Sequence, residues 1–187
     1  MDNKKLVEVL LFSSPEPLTQ GKLNQILFDG ESIDLKSAVE SLNVDYTNEE
    51  KGLKVEKIGG GYQLLSHAEY HLYIQRLFNK GKKIKLSRPA LETLSIITYK
   101  QPMTRIEIES IRGVECGGVI KTLIERELVT IKGRDMGMGR ALLYGTTQRF
   151  LELFGLNHLS DLPKLKEINL LMSDGETPTE KIIDETK

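Results

Sequence analysis

The sequence predicts a mainly helical α+β protein, in which two tandem winged-helix domains with small β-wings are followed by a disordered C-terminal tail. Three observations predict this class. Residues 86–154 contain three amphipathic helical segments and then two extended segments around a glycine-rich turn, which is the order of a winged helix. Residues 1–80 repeat that order at an offset of 85 positions. The residues after Pro163 are polar, mildly acidic and without a core-forming pattern, as is typical of a disordered tail.

The first helix of the second module is predicted from its start and stop signals. Ser87 is a favourable N-cap residue, and Pro89 suits the first helical turn. The helix should end before Pro102, because proline disfavours helical geometry in the residue that precedes it. Between these signals, apolar side chains recur at helical spacing, namely Ala90, Leu91, Leu94 and Ile97.

The rest of the second module is predicted from caps and glycine turns. Thr104 and Glu107 have the spacing of a capping box, and Gly113 should end the helix that they begin. Four further segments follow: a third helix over about 118–127, wing strands over 128–132 and 140–144, and a closing helix over 148–154 behind Thr147.

The first module matches the second in register. The segment from Pro17 to Gln20 corresponds to the segment from Pro102 to Arg105. Apolar residues correspond at the same offset in five pairs: Leu23 with Ile108, Ile26 with Ile111, Leu35 with Ile120, Ala38 with Leu123, and Val39 with Ile124. The first wing is expected over 53–57 and 62–65, around the turn 59–61. Such a gapless match predicts a tandem duplication.

Four segments are therefore expected. They are an N-terminal winged-helix domain over 1–80, a basic connector over 81–86, a C-terminal winged-helix domain over 87–165, and a flexible acidic tail over 166–187. The connector lies in a stretch without carboxylates, between Glu69 and Glu92, that contains six cations: Arg76, Lys80, Lys82, Lys83, Lys85 and Arg88. We expect it to be exposed, because burying unpaired charges is costly.

Composition excludes several classes of protein. The chain has 187 residues, of which 39% are hydrophobic, and these suffice for two small cores. It has no apolar run near the roughly 20 residues that a membrane span needs. Cys116 is the sole cysteine, which excludes an intrachain disulfide and favours the cytoplasm. The net charge of −1 is unusual for a dedicated DNA binder.

No catalytic residue, metal ligand or cofactor site is predicted. His67 and His71 have a spacing that can hold a metal, but two solvent-facing residues are the favoured interpretation. Cys116 lies at the start of the third helix, where the helix dipole could lower its pKa, but a small, partly buried residue is favoured. The two glycine-rich turns lack the Lys-Ser/Thr of a phosphate-binding loop.

The third helices, which would read bases in a DNA-binding winged helix, are poorly suited to that role. Each outward face carries a carboxylate where phosphates would approach. The faces are Lys36, Ser37, Glu40 and Ser41 in the first module, and Lys121, Thr122, Glu125 and Arg126 in the second. Binding to proteins is therefore favoured over specific DNA reading. The connector, Arg134 and Arg140 could supply weak, sequence-independent DNA contacts.

Residues 91–114 (LETLSIITYKQPMTRIEIESIRGV) resemble the signature of the segregation and condensation protein B (ScpB) family. Three further segments resemble the same family: 59–64 (GGGYQL), 139–147 (GRALLYGTT) and 150–156 (FLELFGL). The resemblance covers about residues 4–165. Family members tend to have proline after the Gly-Arg of the second wing, where this chain has Ala141.

The resemblance implies a non-enzymatic subunit of the bacterial condensin complex, acting in chromosome condensation and segregation. It implies a homodimer formed chiefly through the N-terminal domain. The implied partner is the kleisin, segregation and condensation protein A (ScpA), which bridges the ATPase heads of the SMC protein. The expected location is the cytoplasm, in association with the nucleoid. The alternative is a winged-helix DNA-binding regulator or nucleoid protein.

Two sets of contact residues are expected. The dimer interface should include apolar residues beyond the needs of a three-helix core: Val9, Phe12, Phe28, Tyr70, Leu72 and Phe78. The kleisin should bind the C-terminal domain at Tyr99, Lys100, Gln101, Arg105, Glu107, Arg112, Arg140 and Tyr144. Tyrosine and arginine are frequent interface anchors. The competing interpretation is that Tyr99 and Tyr144 merely seal the small core.

Overall fold

The computed structural model describes residues 2–28, 30–78, 86–137 and 139–164. Residues 81–85 of the predicted connector over 81–86, and the whole predicted tail over 166–187, lie outside the described residues. The described residues fall into two compact units, divided between Asn157 and His158. The second unit contains a 3₁₀ turn over Leu159–Asp161, in which the backbone N–H of His158 donates to the Asp161 carboxylate at 2.9 Å.

The N-terminal module has the helix order of a winged helix followed by a two-stranded wing. Its three opening helices are capped by the side chains of Asp2, Thr19 and Asp34, each of which accepts a backbone N–H. The elements are α1 (Asn3–Ser13), α2 (Gln20–Ile26), α3 (Leu35–Asn48), β1 (Leu53–Ile58), β2 (Gly61–Ser66), a 3₁₀ turn (Ala68–Tyr70) and α4 (His71–Phe78).

The C-terminal module repeats the plan with a three-stranded antiparallel sheet of order β3-β5-β4. Its elements are α5 (Arg88–Lys100), β3 (Met103–Thr104), α6 (Arg105–Arg112), α7 (Gly117–Glu125), β4 (Val129–Arg134), β5 (Leu142–Thr146) and α8 (Gln148–Leu153). The predicted mainly helical α+β class with small wings is confirmed.

The predicted helix signals of this module are confirmed. The Ser87 side chain accepts from the backbone N–H of Ala90, and Thr104 and Glu107 form both hydrogen bonds of a capping box. Gly113 closes α6 in the left-handed region, at φ 75°. The return strand starts later than expected, because Arg140 has φ 44° and cannot continue an extended strand.

The duplication is visible in the sheet pairing. Leu18 bridges Tyr62 in the first module, and Met103 pairs with Tyr144 in the second. In each module the bridging residue, Leu18 or Met103, directly precedes the threonine that caps the second helix. The same local pairing therefore joins the wing to the helices in both modules.

The predicted register holds through the second helix and at the start of the third, where Leu35 and Ile120 are both buried, and it fails further along the third helix. Leu23 and Ile108 are both fully buried. Val39 is 3% exposed, whereas its predicted counterpart Ile124 is 37% exposed. The buried residues of α7 are Ile120 and Leu123, whereas those of α3 are Leu35, Val39, Leu42 and Tyr46. After this shared start, the buried positions of the two third helices differ by one residue.

Each module has its own hydrophobic core. The N-terminal core includes Val7, Leu11, Leu23, Leu35, Val39 and Leu42. The C-terminal core includes Leu94, Ile97, Ile108, Ile120, Leu123 and Phe150. That each module folds independently, with its boundary in the connector, stays a prediction.

Truncation of Ile108 to alanine should destabilise the protein by about 2–5 kcal/mol, because it leaves a cavity in a closed core. Ile108 is fully buried on α6, whereas Ile106, two residues earlier, is 74% exposed. Ile106→Ala is therefore the matched control and should change the free energy of unfolding by at most about 0.5 kcal/mol. Urea unfolding measures both values. Equal losses in the two variants would contradict the assigned helix face.

Candidate partner-binding surfaces

All six apolar residues expected at a dimer interface are exposed in the single chain. Their exposed fractions range from 40% for Tyr70 to 83% for Phe28. We call this set the N-terminal apolar residues: Val9, Phe12, Phe28, Tyr70, Leu72 and Phe78. Exposed apolar side chains in this number are typical of a surface that binds another molecule.

The positions of these residues on the helices explain their exposure. On α1, Val7 and Leu11 are one turn apart and fill the core, so Val9 lies on the opposite side of the helix. The helix α4 has no buried residue. It exposes Tyr73 and Leu77 in addition to the predicted Leu72 and Phe78. Such a helix needs apolar cover that the described residues do not provide.

Tyr70 also has a structural contact. A Cβ atom on Gly52 would lie 2.7 Å from the Cε2 atom of the Tyr70 ring. The ring therefore packs directly against the backbone at the start of the first wing, which explains why Tyr70 is the least exposed of the six.

Two of the residues expected to bind the kleisin are used inside the C-terminal module. The Gln101 amide oxygen accepts the backbone N–H of Thr146 at 2.7 Å, and its nitrogen donates to the Thr146 hydroxyl at 2.9 Å. Glu107 accepts the backbone N–H of Thr104 at 2.7 Å. That hydrogen bond holds the pKa of Glu107 below its ordinary value. Gln101 thus clamps the end of α5 to β5, and Glu107 caps α6.

Arg105 belongs to a network that joins α6 to the start of α7. Its Nε donates to Glu109 Oε1 at 2.7 Å, and the same oxygen accepts the backbone N–H of Cys116 at 2.8 Å. Both hydrogen bonds hold the pKa of Glu109 below its ordinary value, and the one from the Cys116 backbone has the larger effect. The Arg105 side chain is still 48% exposed, so it can also meet a partner.

Arg112 does not fit the expectation of an exposed anchor. Its side chain is 7% exposed, and its Nη2 atom lies 3.5 Å from a carboxylate oxygen of Glu92 on α5. The Nε and Nη1 atoms are buried without a hydrogen-bond partner. The side chain turns inward because Arg112 ends α6 where this helix packs on α5, beside the carboxylate of Glu92.

The remaining expected residues divide between core and surface. Tyr144 is half-buried and packs against the C-terminal core, which supports the interpretation that it seals this core. Tyr99 is also half-buried. Lys100 and Arg140 are exposed. Arg140 lies in the turn of the second wing, where its carbonyl accepts from Arg134 Nη1 at 3.2 Å.

A groove along α6 was not expected from the sequence. It is a shallow, open groove of about 520 Å³, lined by Lys100, Pro102, Met103, Ile106, Glu107, Ser110 and Ile111. We call it the α6 groove. Ile106 and Ile111 are 74% and 46% exposed. The signal was present in the sequence, because Ile106 and Ile108 are 200° apart on a helix and cannot both face the core.

The weak metal and nucleophile hypotheses receive no support. Residue 67 precedes the 3₁₀ turn and α4 begins at His71, so the two histidines do not share one helix. Within the described ranges, no group of three or more His, Cys, Asp or Glu side chains could hold a metal ion. Cys116 is 1% exposed, and burial together with nearby Glu109 raises the pKa of its thiol. A reactive cysteine needs the opposite shift.

No helix in the part of the chain that the structure describes is both long and apolar enough to cross a membrane. The fold defines a tandem winged-helix protein with an apolar surface on one module and a mixed polar and apolar surface on the other. Residues 5–165 match the family model of the segregation and condensation complex subunit ScpB. The chain belongs to this family.

Similar proteins cover nearly the whole chain. The segregation and condensation protein B of Syntrophotalea carbinolica is 40% identical over 174 residues, which are 93% of this chain and 87% of that protein. The protein of the same name from Desulforamulus reducens is 43% identical over 177 residues, or 93% of each chain.

Two solved structures are also similar in sequence. The crystal structure of ScpB from Mycobacterium tuberculosis is 29% identical, with a TM-score of 0.39, and the match covers 83% of this chain and 96% of that one. The dimer of the ScpB N-terminal domain complexed with ScpA peptide is 29% identical, with a TM-score of 0.33. That match covers 40% of this chain and 91% of that one.

Replacing Glu109 with glutamine should reduce the loss of stability in acid. Because the folded-state pKa of Glu109 is lowered, its ionisation stabilises the fold fully above the ordinary glutamate pKa of about 4.3. This contribution is lost as the pH falls through the lower folded-state pKa. Glu109→Gln should therefore be less stable than the wild type near neutral pH, and the difference should shrink below about pH 4.

Urea unfolding at several pH values measures this effect. Glu125→Gln, on the exposed side of α7, is the control for removing one carboxylate. A difference between wild type and Glu109→Gln that stays constant from neutral pH into acid would contradict the assigned role of the Glu109 carboxylate.

Proposed function

We propose that this chain is a non-enzymatic subunit of a bacterial SMC–kleisin condensin complex and acts in chromosome condensation and segregation. It works as a homodimer that binds the kleisin ScpA and reaches the SMC protein through it. The observation that carries the proposal is the family match over residues 5–165. The place of action is the cytoplasm, at the nucleoid.

The N-terminal apolar residues support the homodimer. Burying a large apolar side chain completely is worth about 1.5–3 kcal/mol, so several such residues on each of two copies supply a strong drive to associate. Phe12, Phe28 and Phe78 are each more than 70% exposed. A second copy of the same module is the partner that would cover them symmetrically.

We place the kleisin on the C-terminal module, at the α6 groove and its charged border. The exposed side chains that line the groove include Lys100, Ile106 and Ile111. Arg105 and Arg140 are exposed elsewhere on the same module. A partner segment with apolar residues for the groove and carboxylates for the cations fits this surface. The competing location is the N-terminal module, the part of ScpB that carries an ScpA peptide in the solved complex of that protein.

The third helices favour protein binding over DNA reading. Lys36 on α3 lies 3.8 Å from Glu40, and Lys121 on α7 lies 3.9 Å from Glu125. In both modules a carboxylate one turn away partly neutralises the exposed lysine that would meet a phosphate. In a DNA-binding regulator these lysines would instead contact DNA phosphates, and the affinity for DNA would fall steeply as the salt concentration rises.

Phe12→Glu combined with Phe28→Glu should convert the dimer into a monomer, because it places charges where apolar surfaces meet. Size-exclusion chromatography with light scattering measures the mass. Leu91→Glu is the control, since it puts the same charge on a half-exposed apolar position of the C-terminal module. This control should remain a dimer. A dimeric double variant would refute the assigned interface.

Lys100→Glu combined with Ile106→Glu should weaken binding of ScpA by at least about tenfold and leave the dimer intact, as expected for hot-spot positions. Fluorescence titration with purified ScpA measures the affinity. The matched control is Lys121→Glu combined with Leu91→Glu, which changes one exposed lysine and one apolar residue outside the groove.

The possible outcomes distinguish a kleisin site assigned to the wrong module from an error in the proposed function. Unchanged affinity in the groove variant, with loss in a dimeric variant of the N-terminal module, would move the kleisin site to that module. Failure of the wild-type chain to bind ScpA at all would overturn the proposed function itself.

A further inference from the structure

The turn of the first wing contacts the last helix of the C-terminal module, within the first compact unit. The backbone N–H of Gly59 donates to the carbonyl of Leu156 at 2.9 Å. The Gln148 side-chain nitrogen donates to the Gly59 carbonyl. Both backbone polar groups of one residue in the first module are therefore satisfied by the second module.

A side chain at position 59 would displace the Gln148 amide that donates to the Gly59 carbonyl. A Cβ atom there would lie 2.4 Å from Gln148 Nε2 and 3.1 Å from Glu152 Cγ. The next residue, Gly60, shares the left-handed backbone, with φ 74° against 59°, but a Cβ atom there would meet nothing within 4 Å. Two neighbouring glycines thus have the same backbone requirement, and only Gly59 is covered by α8.

Both sides of the contact are held in place by their own modules. Gln148 and Glu152 are one turn apart on α8, so they lie on the same face of the helix. Phe150, between them, is buried in the C-terminal core, and Thr147 caps the helix. On the other side, the bridge between Leu18 and Tyr62 ties the first wing to its helices.

We propose that Gly59, Gln148 and Leu156 form a wing–helix contact that joins the two winged helices into one body. The contact restricts the two modules from moving freely about the connector. It covers Gly59 in the turn of the first wing and leaves Gly60 open. The inference concerns the coupling of the modules and does not depend on the proposed function.

The test compares Gly59→Ala with Gly60→Ala in the full-length chain. Both variants strain a left-handed backbone position, but only Gly59→Ala places a methyl group against α8. We expect Gly59→Ala to increase the radius of gyration measured by small-angle X-ray scattering and to speed trypsin cleavage at Lys80, Lys82, Lys83 or Lys85. Gly60→Ala should leave both measurements at their wild-type values.

A second variant keeps the test decisive if Gly59→Ala fails to fold. Gln148→Glu preserves the shape of the side chain but replaces the donor with a carboxylate that faces the Gly59 carbonyl. It should produce the same opening, whereas Arg149→Gln, at the neighbouring exposed position, should not. An unchanged radius of gyration in the folded Gly59 or Gln148 variant overturns the proposal. An equal increase in Gly60→Ala also overturns it, because backbone strain would then be the cause.

Discussion

A short antiparallel pairing, placed just before the second helix of each module, joins the wing to the helical part of the fold. In the first module, Leu18 and Tyr62 exchange two backbone hydrogen bonds, at 2.7 and 2.8 Å. In the second, Met103 pairs with Tyr144. The capping threonine follows directly in both, so one pairing sets the start of the second helix and the position of the return strand. Core packing and both wings depend on this constraint.

The duplicated fold carries two different surfaces. The N-terminal module exposes large aromatic and aliphatic side chains, whereas the C-terminal module offers a groove lined by both apolar and charged side chains. Because the cores are separate, each surface could diverge without disturbing the packing of the other module.

Structural features that depend on residues close together in the sequence could be predicted, whereas contacts between residues far apart in the sequence could not. The caps at Ser87 and Thr104 follow from residues three positions apart, so the sequence alone identifies them. The clamp between Gln101 and Thr146 spans 45 positions, and the inward turn of Arg112 depends on how α6 packs on α5. Both involve residues expected to bind a partner. A polar side chain that turns into the fold cannot be told from an exposed one by the sequence alone. The exposed Ile106 could have been predicted from helical spacing.

The burial of Cys116 has a practical consequence for chemical labelling. It is the sole cysteine, it is 1% exposed, and burial raises the pKa of its thiol, so little of the reactive thiolate forms near neutral pH. Cysteines introduced at exposed positions will therefore react with maleimides or alkylating agents without competition from the native thiol. The wild-type chain already provides the low-background scaffold that spin-label and fluorophore distance measurements require, and it does so without removing a residue from the core.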